Sequence, residues 1–178
     1  MGRIRLKDKE FDLFISENEI KKEISRVAEE IKQTVEGRNP LFVCVLNGAF
    51  MFMADLLKSI DDGCEVAFAR YASYSGTQTT GVLREIMPLG VDVKGRTVVL
   101  VEDIVDSGFT MRSVIQKIKE QGAENVLLAT LLFKPDALKC DVKPDFVGKA
   151  IPNDFIVGYG LDYDGLGRAY KDIYKLSE

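Results

Sequence analysis

The sequence predicts an α/β fold, a parallel twisted sheet flanked by helices, with a small hood lobe over one edge. Three observations carry that prediction. The runs Leu41–Leu46, Thr97–Val101 and Val126–Phe133 are continuously apolar rather than alternating, as strands covered on both faces are. Segments with helical spacing separate them, and repeated strand, helix, strand order implies parallel pairing. Beyond Lys134-Pro135 the alternation breaks into short pieces.

In chain order, Ser16-Glu-Asn-Glu19 has the spacing of a capping box, and Ile20, Ile24, Val27, Ile31 and Val35 follow at steps of three and four. Gly37 stops this amphipathic helix. Asn39-Pro40 turns the chain into the strand Leu41–Leu46, which ends at Asn47-Gly48. Ala49 to Ile60 is rich in Ala, Met, Leu and Phe and closes with Asp61-Asp-Gly63, so it reads as a helix. Glu65 to Tyr74 is a strand with β-compatible Val66, Phe68 and Tyr71. The polar loop Ser75 to Gly81 has little to bury and is expected to move when empty.

Val82 to Leu89 is a further strand, and Asp92-Val-Lys-Gly95 turns into Thr97–Val101. An acidic loop follows, and Met111, Val114, Ile115 and Ile118 then mark a helix face that ends near Gly122. After Val126–Phe133 come Asp145–Gly148, Phe155–Gly160 and a tail carrying Asp162, Asp164 and Arg168. The chain is expected to form one domain over 1–178, with a core over about 37–140 and the hood over about 141–178, which the N-terminus is a candidate to join.

Composition narrows the chemistry. A chain of 178 residues with 46% hydrophobic residues can bury a sizeable core, and no segment reaches the ~20 apolar residues of a membrane span. The first residues lack the apolar stretch of a secretory signal, so a cytoplasmic location is expected and a membrane partner is not. Cys44, Cys64 and Cys140 form no close motif and read as reduced structural thiols. The sequence contains no histidine, which excludes Ser-His-Asp catalysis and His-based zinc sites. A net charge of −4 argues against broad nucleic-acid binding, which needs a cationic surface.

The chemistry concentrates in Val98-Val-Leu-Val-Glu-Asp-Ile-Val-Asp-Ser-Gly-Phe-Thr-Met111. Glu102, Asp103 and Asp106 place three like charges within five positions, and a cation or hydroxyls should sit among them. Open parallel sheets bind ligands beyond the carboxyl ends of their strands, where Leu46-Asn47-Gly48, the Glu102–Thr110 loop and Lys134 all fall. Asp106-Ser-Gly-Phe-Thr110 offers amides and hydroxyls at a helix N-terminus, a cradle for a phosphate monoester. Glu102-Asp103 suits hydroxyls or hydrated Mg²⁺. Phosphoribosyl pyrophosphate is a ligand that meets all these demands. A P-loop is absent, since the chain has no Gly-x4-Gly-Lys-Ser/Thr.

Val98 to Met111 is similar to the phosphoribosyl pyrophosphate signature of the type I phosphoribosyltransferases. Leu46-Asn-Gly48, Ala72-Ser-Tyr-Ser-Gly-Thr-Gln-Thr-Thr-Gly81, Leu131-Leu-Phe-Lys134, Pro144-Asp-Phe-Val-Gly148 and Phe155-Ile-Val-Gly-Tyr-Gly-Leu-Asp-Tyr163 resemble the hypoxanthine-guanine branch of that family. The resemblance covers roughly residues 40–176. It implies the type I fold and transfer of a phosphoribosyl group to a 6-oxopurine, hypoxanthine or guanine, with Mg²⁺ as cofactor and a homodimer or homotetramer as assembly. Glu102 and Asp103 would serve the ribose hydroxyls and Mg²⁺, and Asp106, Ser107, Gly108, Phe109 and Thr110 would hold the 5′-phosphate. Asp106 would also be the general base facing purine N7. Lys134 would donate to the 6-oxo group, Phe155 would stack on the base, and the Ile156 backbone would read its edge. Asp162 would lie at the purine and bind a second Mg²⁺, and Arg168 would bind pyrophosphate. Leu46, Asn47 and Gly48 would contact pyrophosphate, with Ser73 and Tyr74 closing over it.

Two positions depart from the pattern: Asn47 and Phe109 stand where relatives often carry Lys, which removes two cations from around the phosphates. Plainer readings stand beside the functional ones, with Lys134 at the surface, Phe155 in the core, and Asp162 paired only with Arg168. A phosphoribosyltransferase for xanthine or uracil, or a nucleotide-sensing RNA-binding regulator on the same fold, also fits these residues.

Overall fold

The structure, a computed structural model, describes residues 2–73 and 83–177; Ser73 is described through its backbone only, and Tyr74 and the polar loop 75–81 lie outside the described residues. In chain order the elements are β1 (Arg3–Leu6), β2 (Lys9–Ile15), α1 (Glu17–Val35), β3 (Leu41–Leu46), α2 (Phe50–Ile60), β4 (Glu65–Ser73) and β5 (Leu83–Met87). They continue with β6 (Thr97–Val105), α3 (Phe109–Glu120), β7 (Asn125–Phe133), β8 (Phe146–Ala150), β9 (Ile156–Val157) and β10 (Ile173–Leu176).

A six-stranded sheet runs in the order β5-β4-β3-β6-β7-β8. Its inner pairings are parallel, and β3 and β6, at its centre, are buried along most of their length, which explains their continuous apolar composition. β5 instead runs antiparallel to β4. The nine residues from 74 to 82 are fewer than the dozen or more that a parallel crossover takes, so the edge turns the wholly parallel expectation into a mixed sheet.

α1 starts where its sequence says it should. The Ser16 side chain accepts from Glu19 N, and the Glu19 carboxylate accepts from Ser16 N at 3.0 Å, closing the capping box. Its stripe of Ile20, Ile24, Val27, Ala28, Ile31 and Val35 packs with Phe52, Met53 and Leu56 of α2 on one sheet face. Met111, Val114 and Ile118 of α3 cover the other face. No helix among the described residues is long and apolar enough to cross a membrane.

β8 pairs parallel with β7 and so belongs to the large sheet; the chain leaves that sheet near residue 150 rather than 140. A 3-10 turn at Pro135–Ala137 and irregular chain replace the crossover helix, which is why the helical rhythm fades although the sheet continues. A second, antiparallel sheet, β1-β2-β10-β9, joins the N-terminal hairpin to the C-terminal strands. Its strands carry weak signals because each is short and buries few side chains, such as Phe11 and Ile15 of β2.

Candidate functional site

The acidic pair lies on a strand, not in a loop. β6 continues past Val101 because Ile104 and Val105 still pair with Leu132 and Phe133 of β7. Glu102 and Asp103 therefore sit side by side at the C-terminal part of the strand, and Glu102 Oε1 accepts from Asp103 N at 3.2 Å. Glu102 is buried, and burial first, then the charge of Asp103, pushes its carboxyl well above the ordinary glutamate range. Asp103 is half-buried, and its Oδ1 accepts from Ile104 N at 2.8 Å. A Cβ at Gly48 would overlap the Asp103 carboxylate, so glycine lets the loop after β3 close on β6. In that loop the Leu46–Asn47 peptide is cis, Leu46 is partly buried and the Asn47 side chain is exposed.

Asp106, Ser107 and Gly108 form the turn from β6 into α3. Gly108 has φ +82°, and no side chain caps α3, leaving first-turn N–H groups without the partner that a cap supplies. A Cβ at Gly108 would stand 2.7 Å from Cys140 Sγ and 2.8 Å from Leu138 Cδ1. Lys139 N donates to Ser107 O at 3.0 Å. The turn is thus held from behind by Leu138–Cys140, residues that sequence reasoning did not connect with the cradle because they follow it by some thirty positions. Glu102, Ile104, Asp106, Ser107 and Thr110 help to line a cavity of 170 Å³ here. Phe109 is exposed, with the Arg112 guanidinium 5.5 Å from its ring.

Lys134 directly follows β7 and is buried, which removes the surface-lysine reading. Its N–H donates to Val105 O at 2.9 Å, and its Nζ lies 3.3 Å from Asp106 Oδ2. Lys134, supplied from the end of the neighbouring strand, is thus the cation beside Asp106, one of the three carboxylates.

The remaining candidates lie in the hood. The Phe155 ring is 45% exposed and packs against Phe11 and Tyr163, whereas Ile156 is buried in β9. Gly158, Tyr159 and Gly160 all have positive φ, and a Cβ at Gly160 would overlap Gly48 O. That approach brings the segment after Phe155 onto the loop after β3. The buried Tyr159 hydroxyl donates to Asp55 Oδ2 of α2 at 2.6 Å, a contact no motif announced. Asp162 Oδ1 pairs with Arg168 Nη2 at 2.7 Å, its Oδ2 accepts from Gly165 N at 2.7 Å, and Arg168 Nη1 donates to Gly160 O at 2.7 Å. The sequence-level pairing of these two side chains is thus present. Ser73 and Tyr74 cannot be placed beside the site, the first by its side chain and the second at all, since they fall outside the described side chains and residues respectively.

Among the described residues no three His, Cys, Asp or Glu side chains cluster as a metal cage, so a metal here would rest on the Glu102 and Asp103 pair plus ligand oxygens. Burial first, then Glu102 and Asp103, push the Cys44 thiol up to about 12, which keeps this core cysteine unreactive. A larger hollow of 650 Å³, at the C-terminal ends of α1 and α2, is lined by Lys32, Val35, Asn39, Ile60 and Cys64 among others. It is the roomier cavity, but the smaller one holds the converging donors and acceptors that a reaction requires.

The sequence profile of the phosphoribosyl transferase domain matches residues 15–164. The hypoxanthine-guanine phosphoribosyltransferase of Bacillus subtilis (strain 168) is 40% identical over 152 residues, 85% of this chain and 84% of that protein. A bifunctional TilS/HprT protein of Listeria monocytogenes is 44% identical over 152 residues, again 85% of this chain, but this chain spans only 24% of it. Among solved structures, a hypoxanthine phosphoribosyltransferase from Staphylococcus aureus superposes with a TM-score of 0.89 at 33% identity, covering 93% of this chain and 91% of that one.

Proposed function

The chain belongs to the phosphoribosyl transferase family, and on that premise we propose that it joins hypoxanthine or guanine to phosphoribosyl pyrophosphate, forming the nucleoside 5′-monophosphate and pyrophosphate. The observation that carries the reading is the Lys134–Asp106 pair beside an uncapped helix N-terminus. N7 and the 6-oxo group lie next to each other on one purine edge. An acceptor and a donor 3.3 Å apart match that edge, Asp106 facing N7 and Lys134 the oxygen.

In the reaction a ring nitrogen forms a bond to ribose C1′ as the bond from C1′ to pyrophosphate breaks through an oxocarbenium-like state. Asp106 takes the proton that the base loses. Ser107, Gly108, Phe109 and Thr110 hold the 5′-phosphate through amides and hydroxyls, and Glu102 and Asp103 face the ribose diol. Leu46, Asn47 and Gly48 meet the pyrophosphate with backbone and amide groups, and Ser73, Tyr74 and Arg168 add to that contact. Phe155 stacks on the base, and the Ile156 backbone and Asp162 lie along its far edge.

The crowded, buried Glu102 beside Asp103 favours a bound cation, and these two would hold Mg²⁺, which when bound neutralises the diphosphate leaving group. Asp162 is held by Arg168 and the Gly165 N–H, and it would join as a ligand through the lone pairs those contacts leave. We place the enzyme in the cytoplasm, as a single domain over 1–178 that assembles as a homodimer or homotetramer. Pyrophosphate release measured with hypoxanthine, guanine, xanthine, adenine and uracil, with and without Mg²⁺, tests the reading. Magnesium-dependent turnover of hypoxanthine or guanine is expected, and no turnover with any 6-oxopurine would overturn it.

A further inference from the structure

We infer that Phe11, on the N-terminal strand β2, is a positioning residue for the base, acting by fixing the Phe155 ring from behind. Residues 2–14 precede the stretch matched by the domain profile, 15–164, and none of the site motifs draws on them. Yet they supply the floor of the base platform. Phe11 is fully buried, its ring 6.1 Å from that of Phe155 and 6.2 Å from that of Tyr163. Phe155 and Tyr163 meet edge to face at 5.8 Å, so the three rings close a triangle with Phe155 as its open member.

Both other members of this triangle are tied to the N-terminal hairpin. Phe11 is laddered to Ile4 on one side and Leu176 on the other, and Leu176 N donates to Phe155 O at 2.9 Å. Tyr163 donates to Asp8 Oδ1 at 2.9 Å, and Lys9 Nζ lies 5.7 Å from its ring centre. An exposed phenylalanine that stacks on a ligand loses rotamer freedom; one already wedged by two rings has little left to lose. Phe11 therefore raises affinity for the purine half of a ligand without touching it, and does nothing for the phosphoribosyl half.

This inference rests on Phe155 being the base platform, and the experiment separates the two claims. Calorimetry on the full chain with Mg²⁺ would compare a purine nucleoside 5′-monophosphate with phosphoribosyl pyrophosphate, for Phe11→Leu, Phe155→Leu and the double variant. Phe11→Leu is expected to weaken monophosphate binding roughly three- to tenfold, the scale of a lost aromatic pair, and to hold phosphoribosyl pyrophosphate within about twofold. The double variant should bind the monophosphate no more weakly than Phe155→Leu alone, because Phe11 acts only through that ring. Equal losses for both ligands, additive losses in the double variant, or no loss from Phe11→Leu would overturn the inference while leaving the platform intact. No loss from Phe155→Leu would overturn the platform and the inference with it. Should Phe11→Leu fail to fold, Tyr163→Leu removes the other supporting ring from a partly exposed position. The same selective loss is expected there, and a non-selective one overturns the proposal.

Discussion

Lys134 Nζ lies 3.3 Å from Asp106 Oδ2, a buried cation against a half-exposed carboxylate, at the ends of two adjacent parallel strands. Neither side chain fixes the other through sequence proximity; β6 and β7 do so through their register, in which Val105 sits opposite Phe133. The pair presents one acceptor and one donor side by side, and each member has a distinct consequence when removed.

Asp106→Asn keeps the shape of the turn and removes the base. Phosphoribosyl pyrophosphate affinity is expected to change little, while turnover falls by roughly 10²-fold or more, the scale of a lost general base. Single-turnover kinetics alongside direct binding would check this, and unchanged turnover would remove Asp106 from proton transfer.

Lys134→Met keeps the length of the stem and removes the donor. A site built to hydrogen-bond the 6-oxo group should lose preference for it, with kcat/KM for hypoxanthine falling roughly 10²-fold or more as a buried partner is lost. Rates with 6-oxo and 6-amino purines measured in parallel would show the gap between them narrowing. A parallel fall for both would mean that Lys134 serves the fold rather than the base.

The sequence made some of this geometry legible and hid the rest for definable reasons. β3, the Val98–Val101 stretch of β6 and most of β7 announce themselves because strand segments covered on both faces are predominantly apolar. The turn from β6 into α3 was legible because glycine and hydroxyl residues after an apolar run mark a turn and a helix start. The extent of β6 was not, since Glu102 and Asp103 look like a loop until Ile104 and Val105 are seen to pair with β7. Contacts between distant segments were also hidden: Gly160 against Gly48, Leu138 against Gly108, and the terminal strands joined in one sheet. Such contacts depend on three-dimensional closeness, which local periodicity does not encode.

Gly108→Ala tests the buttress behind the cradle. The added Cβ meets Cys140 Sγ at 2.7 Å and Leu138 Cδ1 at 2.8 Å, at a φ of +82° that alanine adopts poorly. A loss of about 1–3 kcal/mol is expected for a strained site of this kind, seen in urea unfolding. Nucleoside monophosphate affinity should fall with it, since the amides of the turn shift. Full affinity in a destabilised variant would show that the turn does not hold the phosphate.

The Tyr159–Asp55 hydrogen bond, 2.6 Å long, makes stability depend on pH in a direction that can be worked out. Burial works to raise the Asp55 pKa, but the Tyr159 hydroxyl and Lys58 outweigh it, and the carboxyl is held below the ordinary aspartate value of 3.8. A depressed folded-state pKa means that the unfolded chain takes up the proton first as pH falls. The stabilisation is therefore fully present above the ordinary aspartate range and disappears as pH drops through the lower folded value. Asp55→Asn cannot ionise and should lack this term. It is expected to be about 1 kcal/mol less stable than the native chain at neutral pH, the low end for a charged hydrogen bond because the carboxylate is partly exposed. The gap should narrow as the pH falls below the ordinary aspartate range. Tyr159→Phe should show a similar loss at neutral pH, and the double variant less than the sum of the two, since both remove one bond. Urea unfolding of the four proteins at pH 7 and pH 3 decides it: a gap that stays constant with pH would mean that the Asp55 charge contributes nothing to holding the Tyr159 segment.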